Sequence, residues 1–261
     1  MTTESAESIV ATRPDTTLLA VRGLNVAYGT AAVVHDVSFD VRAGEFVVLL
    51  GRNGAGKSSI LHALSGLIPK VSGEVFFDGV DFTHASARAI VRAGVVQVLE
   101  GHRVFGALTV EDNLLIGTYA RHPRGDRSAL VRIYDFFPEL AGRRNEMASR
   151  LSGGQQQILA VAQGVIARPR LLILDEPSGG LAPLVIDRIL AVATDLCRSG
   201  LAILLFEQLV EKALRCAHWC YLIETGRVVA SASSADIRHS ELLHRAYLGG
   251  GVHEPSSRTM A

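Results

Sequence analysis

The sequence predicts an α/β fold in which a largely parallel sheet is joined to a smaller antiparallel one. Leu171–Glu176 and Leu201–Phe206 are apolar almost throughout, as is typical of strands buried on both faces of a parallel sheet. Over Val37–Val41, apolar and polar residues alternate, which is the period of a half-buried strand. A glycine-rich segment, residues 51–58, follows the apolar strand pattern of Phe46–Leu50 and precedes a helical pattern. This order of strand, loop and helix indicates a ligand site at the end of a strand.

The glycine-rich segment matches the phosphate-binding pattern G-x-x-x-x-G-K-[ST] at every fixed position. Its glycines let successive backbone N–H groups face one concavity, and the helix that follows adds the positive end of its dipole. Lys57 would place a charge near the β- and γ-phosphates of a nucleotide, and the Ser58 hydroxyl is a ligand for Mg²⁺. A glycine-rich turn that binds nothing is disfavoured by the flanking strand and helix. The predicted nucleotide contacts in this segment are Gly51, Asn53, Gly54, Ala55, Gly56, Lys57, Ser58 and Ser59.

Composition sets limits on the class of protein. Of the 261 residues, 48% are hydrophobic and 20% charged, which allows a sizeable core. Lys and Arg together number 26, as do Asp and Glu, so net charge gives no long-range attraction to nucleic acid. The first 16 residues are polar and unlike a secretory signal, and no apolar run approaches the ~20 residues that span a bilayer. Three cysteines form no disulfide framework, so we expect a cytosolic protein. From the balanced charge we expect no nucleic-acid partner.

A second pair of glycines opens a helical pattern at Leu151–Gln157. Ser152 and Gln155 have the spacing of a capping box, as Thr109 and Asp112 have that of an N-cap at an earlier helix. Two glycines directly after the cap each cost about 1 kcal/mol relative to Ala. They are useful where a helix start must present bare N–H groups to an anion; the alternative is a plain capped helix. The predicted contacts here are Ser152, Gly153, Gly154 and Gln155.

An acidic pair ends the first apolar strand. Asp175 would hold Mg²⁺, and Glu176 would act as the base that activates a water molecule. The second apolar strand ends similarly, at Glu207 and Gln208. Tyr28 stands ahead of a Gly-Thr turn, where an exposed ring could stack on adenine, although a strand-end tyrosine that only packs is the alternative.

In this order, Tyr28, the phosphate loop, Leu151–Gln157 and Leu171–Glu176 resemble an ATP-binding cassette (ABC) ATPase. The resemblance covers about residues 17–248. It implies a P-loop NTPase fold with a RecA-like mixed-sheet core, a small antiparallel β subdomain and an α-helical subdomain inserted at about 87–165. We expect a disordered tail over residues 1–16 and a flexible tail over 249–261.

Finer features resemble the LivF-type ATPase of branched-chain amino acid importers. They are Gly51–Gly54, Glu100–Phe105, Leu108–Leu114, Gly180–Pro183, Phe206–Gln208 and Tyr247–Gly249. The resemblance implies ATP and Mg²⁺ as cofactors and hydrolysis of ATP. It also implies docking on two integral membrane permease subunits at the cytoplasmic face of the membrane, through a groove lined by Glu100–Leu114. A second LivG-type ATPase, or a second copy of this chain, would close a head-to-tail nucleotide sandwich. An extracytoplasmic binding protein would deliver the amino acid.

Two positions depart from the general cassette pattern. Glu100 stands where a glutamine usually contacts Mg²⁺ and the attacking water, and we do not assign that role to the nearby Gln97. Gln208 stands where a histidine usually faces the γ-phosphate; it can donate a hydrogen bond but carries no positive charge. Both replacements resemble the LivF subgroup. The predicted catalytic residues are therefore Glu176, Gln208 and Glu100, with Ser58, Asp175 and Glu100 as metal ligands.

Other functions remain open at this point. An importer of urea or short amides is the nearest alternative, whereas Glu207-Gln208 in place of Asp-His disfavours a lipopolysaccharide exporter. A soluble, non-transport ABC ATPase would be expected to carry a coiled-coil insertion or a second cassette, and the interval 58–151 shows no sustained heptads. A small-molecule P-loop kinase does not explain Leu151–Gln157.

Overall fold

The computed structural model describes residues 16–101, 103–119, 126–238 and 243. The predicted tails, apart from Thr16, lie outside these residues. So does most of the stretch 235–248, whose sequence pattern predicts an amphipathic helix. The described strands are β1 (Thr17–Tyr28), β2 (Ala31–Arg42), β3 (Phe46–Gly51), β4 (Ser72–Phe77), β5 (Val80–Asp81), β6 (Val95–Val98), β7 (Leu171–Asp175), β8 (Ala202–Glu207), β9 (Trp219–Glu224) and β10 (Arg227–Ser233). The described helices are α1 (Lys57–Leu64), α2 (Ala87–Ala93), α3 (Val110–Thr118), α4 (Ala129–Phe136), α5 (Pro138–Ala141), α6 (Gly153–Ile166), α7 (Pro183–Arg198), α8 (Val210–Cys216) and α9 (Ser234–Ile237).

The strands form two sheets, as predicted. The smaller sheet is antiparallel, in the order β2-β1-β4-β5. The larger sheet has the order β10-β9-β3-β8-β7-β6, in which β9 through β6 are parallel and β10 pairs antiparallel with β9. Because parallel strands end at the same edge, Gly51, Asp175 and Glu207 all lie along the carboxyl edge of this sheet. That edge positions the candidate site.

The larger sheet is buried on both faces, which explains the continuous apolar runs. Every residue of β3, β7 and β8 is buried. Along β3, Phe46, Val48 and Leu50 join a core shared with the helices, while Val47 and Leu49 join a core shared with the antiparallel sheet. The prediction of central parallel strands is confirmed.

The helices between β6 and β7 pack closely on one another and on the sheet. A Cβ on Gly117 of α3 would come within 2.3 Å of a Gln163 backbone oxygen, and one on Gly164 within 2.8 Å of the Val98 side chain. Glycine at these positions lets α6 approach both α3 and β6. The strand β6 falls inside the range 87–165 yet belongs to the core sheet, and α3 to α6 lie between β6 and β7 in the chain. No helix in the described ranges is both long enough and apolar enough to cross a bilayer.

Candidate functional site

The phosphate loop connects β3 to α1 through glycines in the left-handed region. Gly54 has φ 80° and Gly56 has φ 99°, values that favour glycine over any side chain. Gly56 is the N-cap of α1, and no described side chain caps that helix. The first-turn amides are therefore left for a ligand. Asn53 and Ser58 are exposed, whereas Lys57 is buried.

A turn from the far end of the chain braces this loop. The Gly226 N–H donates to the Ala55 carbonyl (2.9 Å), and the His35 N–H donates to the Gly226 carbonyl (2.8 Å). A Cβ on Gly226 would lie 2.2 Å from the Val33 backbone oxygen, and one on Gly56 would lie 3.0 Å from the same atom. Only residues without a Cβ fit at these two positions. Gly226 lies in the hairpin turn between β9 and β10, and no local pattern in the sequence predicts its contact with the loop.

Lys57 directs its ammonium group toward the chain itself. Its Nζ donates to the carbonyls of Gly51 (2.7 Å) and Arg52 (3.1 Å) and lies 3.0 Å from Oε1 of Glu176. An ammonium group has three donors, so all three are used. A phosphate that binds Lys57 must replace one of these partners, and the carboxylate of Glu176 is the one with the same charge as the phosphate.

The carboxylates that follow β7 and β6 lie close together. Asp175 is buried, and this burial, followed by the nearby charges of Glu100 and Glu176, raises its pKa to about 6. The charge of Lys57 and a hydrogen bond from the Glu100 backbone act in the opposite direction. Glu176 has φ 37°, an uncommon value for a residue with a side chain, and its N–H donates to the Phe206 carbonyl (2.9 Å). The backbone is thus bent just where the side chain enters the site.

Gln208 joins this group from the end of β8. Its Nε2 lies 3.4 Å from Oε2 of Glu176, the oxygen that does not contact Lys57. The buried carboxylate of Glu207 accepts the N–H of Gln208 (2.7 Å) and that of Leu209 (3.4 Å), which fixes the turn that presents Gln208. Sequence reasoning gave Glu207 no role in the site. Its position after an apolar strand, like that of the Asp175 pair, was the available signal.

The second glycine pair lies at the surface. Ser152 caps α6: its hydroxyl accepts the Gln155 N–H (3.4 Å) and Gln155 Oε1 accepts the Ser152 N–H (3.0 Å), which confirms the capping box. Ser152 and Gly153 are exposed. A Cβ on Gly154 would meet the Val185 side chain at 2.8 Å, so packing of α6 against α7 also requires this glycine.

The remaining predicted contact, Tyr28, is also accessible. It ends β1 and is 50% exposed, which leaves a ring face for a base. Within the described part of the chain, no hydrogen bond or ion pair links residues 152–155 to residues 51–59. One copy therefore brings together the loop, Asp175, Glu176, Glu100 and Gln208, while its described hydrogen bonds and ion pairs do not connect the Ser152 helix start to the loop.

The fold and this cluster define a P-loop protein that binds and hydrolyses nucleoside triphosphates. Residues 34–179 match the ABC transporter family. The chain is 37% identical to the high-affinity branched-chain amino acid transport ATP-binding protein BraG of Pseudomonas aeruginosa, across 89% of this chain and 100% of BraG. It belongs to the ABC transporter family as an ATP-binding ATPase, which confirms the resemblance seen in the sequence.

Two further comparisons agree. The probable branched-chain amino acid transport ATP-binding protein LivF of Archaeoglobus fulgidus is 33% identical, across 87% of this chain and 96% of LivF. The crystal structure of the ADP conformation of MJ1267, an ATP-binding cassette of an ABC transporter, superposes with a TM-score of 0.81. The superposition covers 90% of this chain and 100% of the MJ1267 chain. The sequence identity is 21%, so this likeness supports the fold alone.

Proposed function

We propose that this chain is the ATP-hydrolysing subunit of an importer for branched-chain amino acids. The observation that carries the proposal is the convergence of Lys57, Asp175, Glu176 and Gln208 at one sheet edge, while the Ser152 helix start faces outward. The names of BraG and LivF support the choice of cargo.

The nucleotide contacts in this proposal come from two subunits. Tyr28 stacks on the base, and the loop from Gly51 to Ser59 surrounds the phosphates through its backbone amides. The helix start at Ser152–Gln155 covers the γ-phosphate held by a partner subunit, since exposed first-turn amides attract an anion. ATP thus joins two cassettes, either this chain with a LivG-type ATPase or two copies of this chain.

Mg²⁺ fits the oxygen atoms available beside the loop. The Ser58 hydroxyl and the carboxylates of Asp175 and Glu100 are hard oxygen ligands of the kind this cation prefers. The raised pKa of Asp175 reflects negative charge crowded into a buried place, which a divalent cation would relieve. When bound, Mg²⁺ would offset charge on the phosphate oxygens.

Glu176 is the proposed general base. Its carboxylate takes the proton of the attacking water, and Gln208 holds the second carboxylate oxygen in place. In the structure this base is paired with Lys57. ATP binding therefore has two consequences in the proposal: Lys57 moves to the phosphates, and Glu176 becomes available to the water.

The membrane partners would dock beside the loop after β6. Phe105 is 53% exposed, and Arg103 is exposed on a groove along β6. The buried Asn113 holds this loop: its Oδ1 accepts the Phe105 N–H (2.8 Å), and its Nδ2 donates to the Phe105 carbonyl (3.0 Å). We propose that two permease subunits bind here, which places the chain at the cytoplasmic face of the membrane. The extracytoplasmic binding protein acts through those subunits.

The docking surface can be tested with matched substitutions. Phe105→Asp and Arg103→Glu should abolish co-purification with the membrane subunits while ATP binding by the isolated chain is kept. Val80→Asp is the control, because Val80 has a similar exposure, 58%, on the antiparallel sheet. Assembly that survives both test substitutions would place the membrane subunits elsewhere.

The cargo is tested in the reconstituted transporter. With its binding protein present, leucine, isoleucine or valine should raise ATP turnover and be taken up into vesicles that supply ATP on the side of this chain. Urea and acetamide are the controls. Stimulation by the amides but not by the amino acids would replace the proposed cargo with the nearest alternative, and turnover indifferent to all of them would remove the import function.

A further inference from the structure

A cavity lies at the end of the molecule opposite the phosphate loop. Its volume is about 330 Å³, within the range of small-molecule pockets. Its lining includes residues that precede β7 and β8, so it sits at the amino edge of the large sheet. The strand β7 separates it from Asp175 by about 15 Å, given some 3.3 Å per residue. The cavity is therefore distinct from the nucleotide site.

Apolar side chains from separate parts of the fold form much of the cavity wall. Ile133 lies on α4, Ile166 ends α6, and Leu196 is near the end of α7. All three are buried side chains of the helix-side core. A ligand here would contact the inserted helices and the core at once.

The charged side chains of the lining are all of one sign. Arg132, Arg168 and Arg170 line the cavity, and no carboxylate side chain is among the described residues that do so. Arg168 lies 3.7 Å from Asp126, and Arg170 lies 2.7 Å from Asp78, so these two guanidinium groups have carboxylate partners outside the lining. Arg132 has no hydrogen bond or ion pair with any other described residue. Arg132 is exposed to solvent, so its charge lies beside the pocket without a described counterion and is accessible to an anionic ligand.

We propose that this cavity binds a short aliphatic carboxylate. Its hydrocarbon part packs against Ile133, Ile166 and Leu196, and its carboxylate accepts hydrogen bonds from the Arg132 guanidinium, whose planar fork matches a carboxylate. The chemistry of the lining selects against amines, because three guanidinium groups line the cavity, and it favours a carboxylate over a neutral alcohol, which cannot accept a charge-assisted pair of hydrogen bonds from Arg132.

Such a ligand would tie α4 to the ends of α6 and α7. From its N-cap, Ser152, the helix α6 runs about 20 Å to the cavity, at 1.5 Å per residue. A rigid helix that joins two sites can couple them, and coupling of affinities is reciprocal. The ligand would therefore change the affinity of the paired cassettes for the ATP that the Ser152 helix start covers on the partner subunit, and that ATP would change the affinity for the ligand by the same factor. The coupling rests on the proposed nucleotide sandwich, whereas hexanoate binding by the cavity depends on neither the sandwich nor the cargo.

Binding can be measured on the full chain with hexanoate as the probe. Isothermal titration should give saturable binding of hexanoate, with hexanol and hexylamine at least about tenfold weaker. Arg132→Gln should weaken hexanoate binding about tenfold or more. Arg92→Gln, on an exposed arginine of α2 outside the lining, is the matched control and should leave it unchanged. Hydrogen exchange with hexanoate should show added protection over Ala129–Phe136.

Several results would overturn the proposal. Hexanol that binds as tightly as hexanoate would show that the cavity does not recognise the negative charge of the carboxylate. Equal losses in Arg132→Gln and Arg92→Gln would show that the effect is general electrostatics, and absence of saturable binding would show that the cavity takes no such ligand. In the assembled pair of cassettes, an ATP affinity that is the same with and without saturating hexanoate would exclude the coupling through α6.

Discussion

Replacing Glu176 by glutamine separates two consequences of its position. The carboxylate lies 3.0 Å from Lys57 Nζ through one oxygen and 3.4 Å from Gln208 Nε2 through the other. Glutamine keeps the shape and one acceptor oxygen but removes the charge. We expect hydrolysis to be lost, because the base is gone. We also expect tighter binding of ATP, because no carboxylate competes with the phosphates for Lys57.

The sizes of these effects follow from the geometry. The side chains of Lys57 and Glu176 are 3% and 13% exposed. Two unit charges at this separation attract by roughly 5 kcal/mol at an effective dielectric constant of 20, before the cost of desolvation is subtracted. Since glutamine still accepts a hydrogen bond from Lys57, the free energy of unfolding of the nucleotide-free chain should fall by only about 1–2 kcal/mol. Loss of a general base lowers turnover by about 10²- to 10⁴-fold.

Three measurements test this prediction together. Turnover is measured in the assembled transporter, ATP affinity by titration of the isolated chain, and stability by urea unfolding without nucleotide. Glu74→Gln, an exposed carboxylate on the antiparallel sheet, is the control and should change none of them. Turnover close to that of the unmodified protein would refute the role of Glu176 as base. Weaker ATP binding by Glu176→Gln would refute the competition for Lys57.

Three further predictions concern the scaffold of the site. Gly226→Ala should lower the free energy of unfolding by at least about 2 kcal/mol and weaken ATP binding, because φ is 74° and the new Cβ would meet backbone at 2.2 Å. Urea unfolding and ATP titration measure the two effects, and Gly142→Ala, with open space around it, is the control. Asn113→Ala removes four side-chain hydrogen bonds at a fully buried position, so it should lower the free energy of unfolding in urea by about 2–3 kcal/mol. A loss under about 0.5 kcal/mol would contradict this prediction. Burial raises the pKa of Cys197 to about 11 and that of Cys220 to about 12, so thiolate is scarce at neutral pH. Both cysteines should therefore resist an aromatic disulfide reagent until the chain unfolds, as followed by mass spectrometry. Labelling of the folded chain as fast as that of the unfolded chain would contradict this.

The sequence was most informative where a local pattern determines structure. Continuous apolar runs predicted β7 and β8, since strands buried on both faces need apolar side chains at every position. The capping patterns at Thr109 and Ser152 predicted the starts of α3 and α6, which the structure confirms. Because parallel strands share a carboxyl edge, the residues that follow those strands meet there.

Contacts between distant segments could not be read from the sequence. The brace from Gly226 to the phosphate loop joins residues about 170 positions apart and has no local pattern. The fit of Gly154 against Val185 is similar, and it shows that an unusual glycine can serve packing as well as a ligand. The sequence also did not reveal the ion pair between Lys57 and Glu176, because both residues were assigned to ATP.

The central claim is that each ATP is held between the loop of one cassette and the helix start of another. The most direct test is the structure of the Glu176→Gln transporter, purified as an assembly and saturated with ATP and Mg²⁺. We predict that the triphosphate lies on Lys57 of this chain and under a Ser-Gly-Gly helix start contributed by a second subunit. A triphosphate enclosed by Lys57 and Ser152 of one and the same chain would contradict the account.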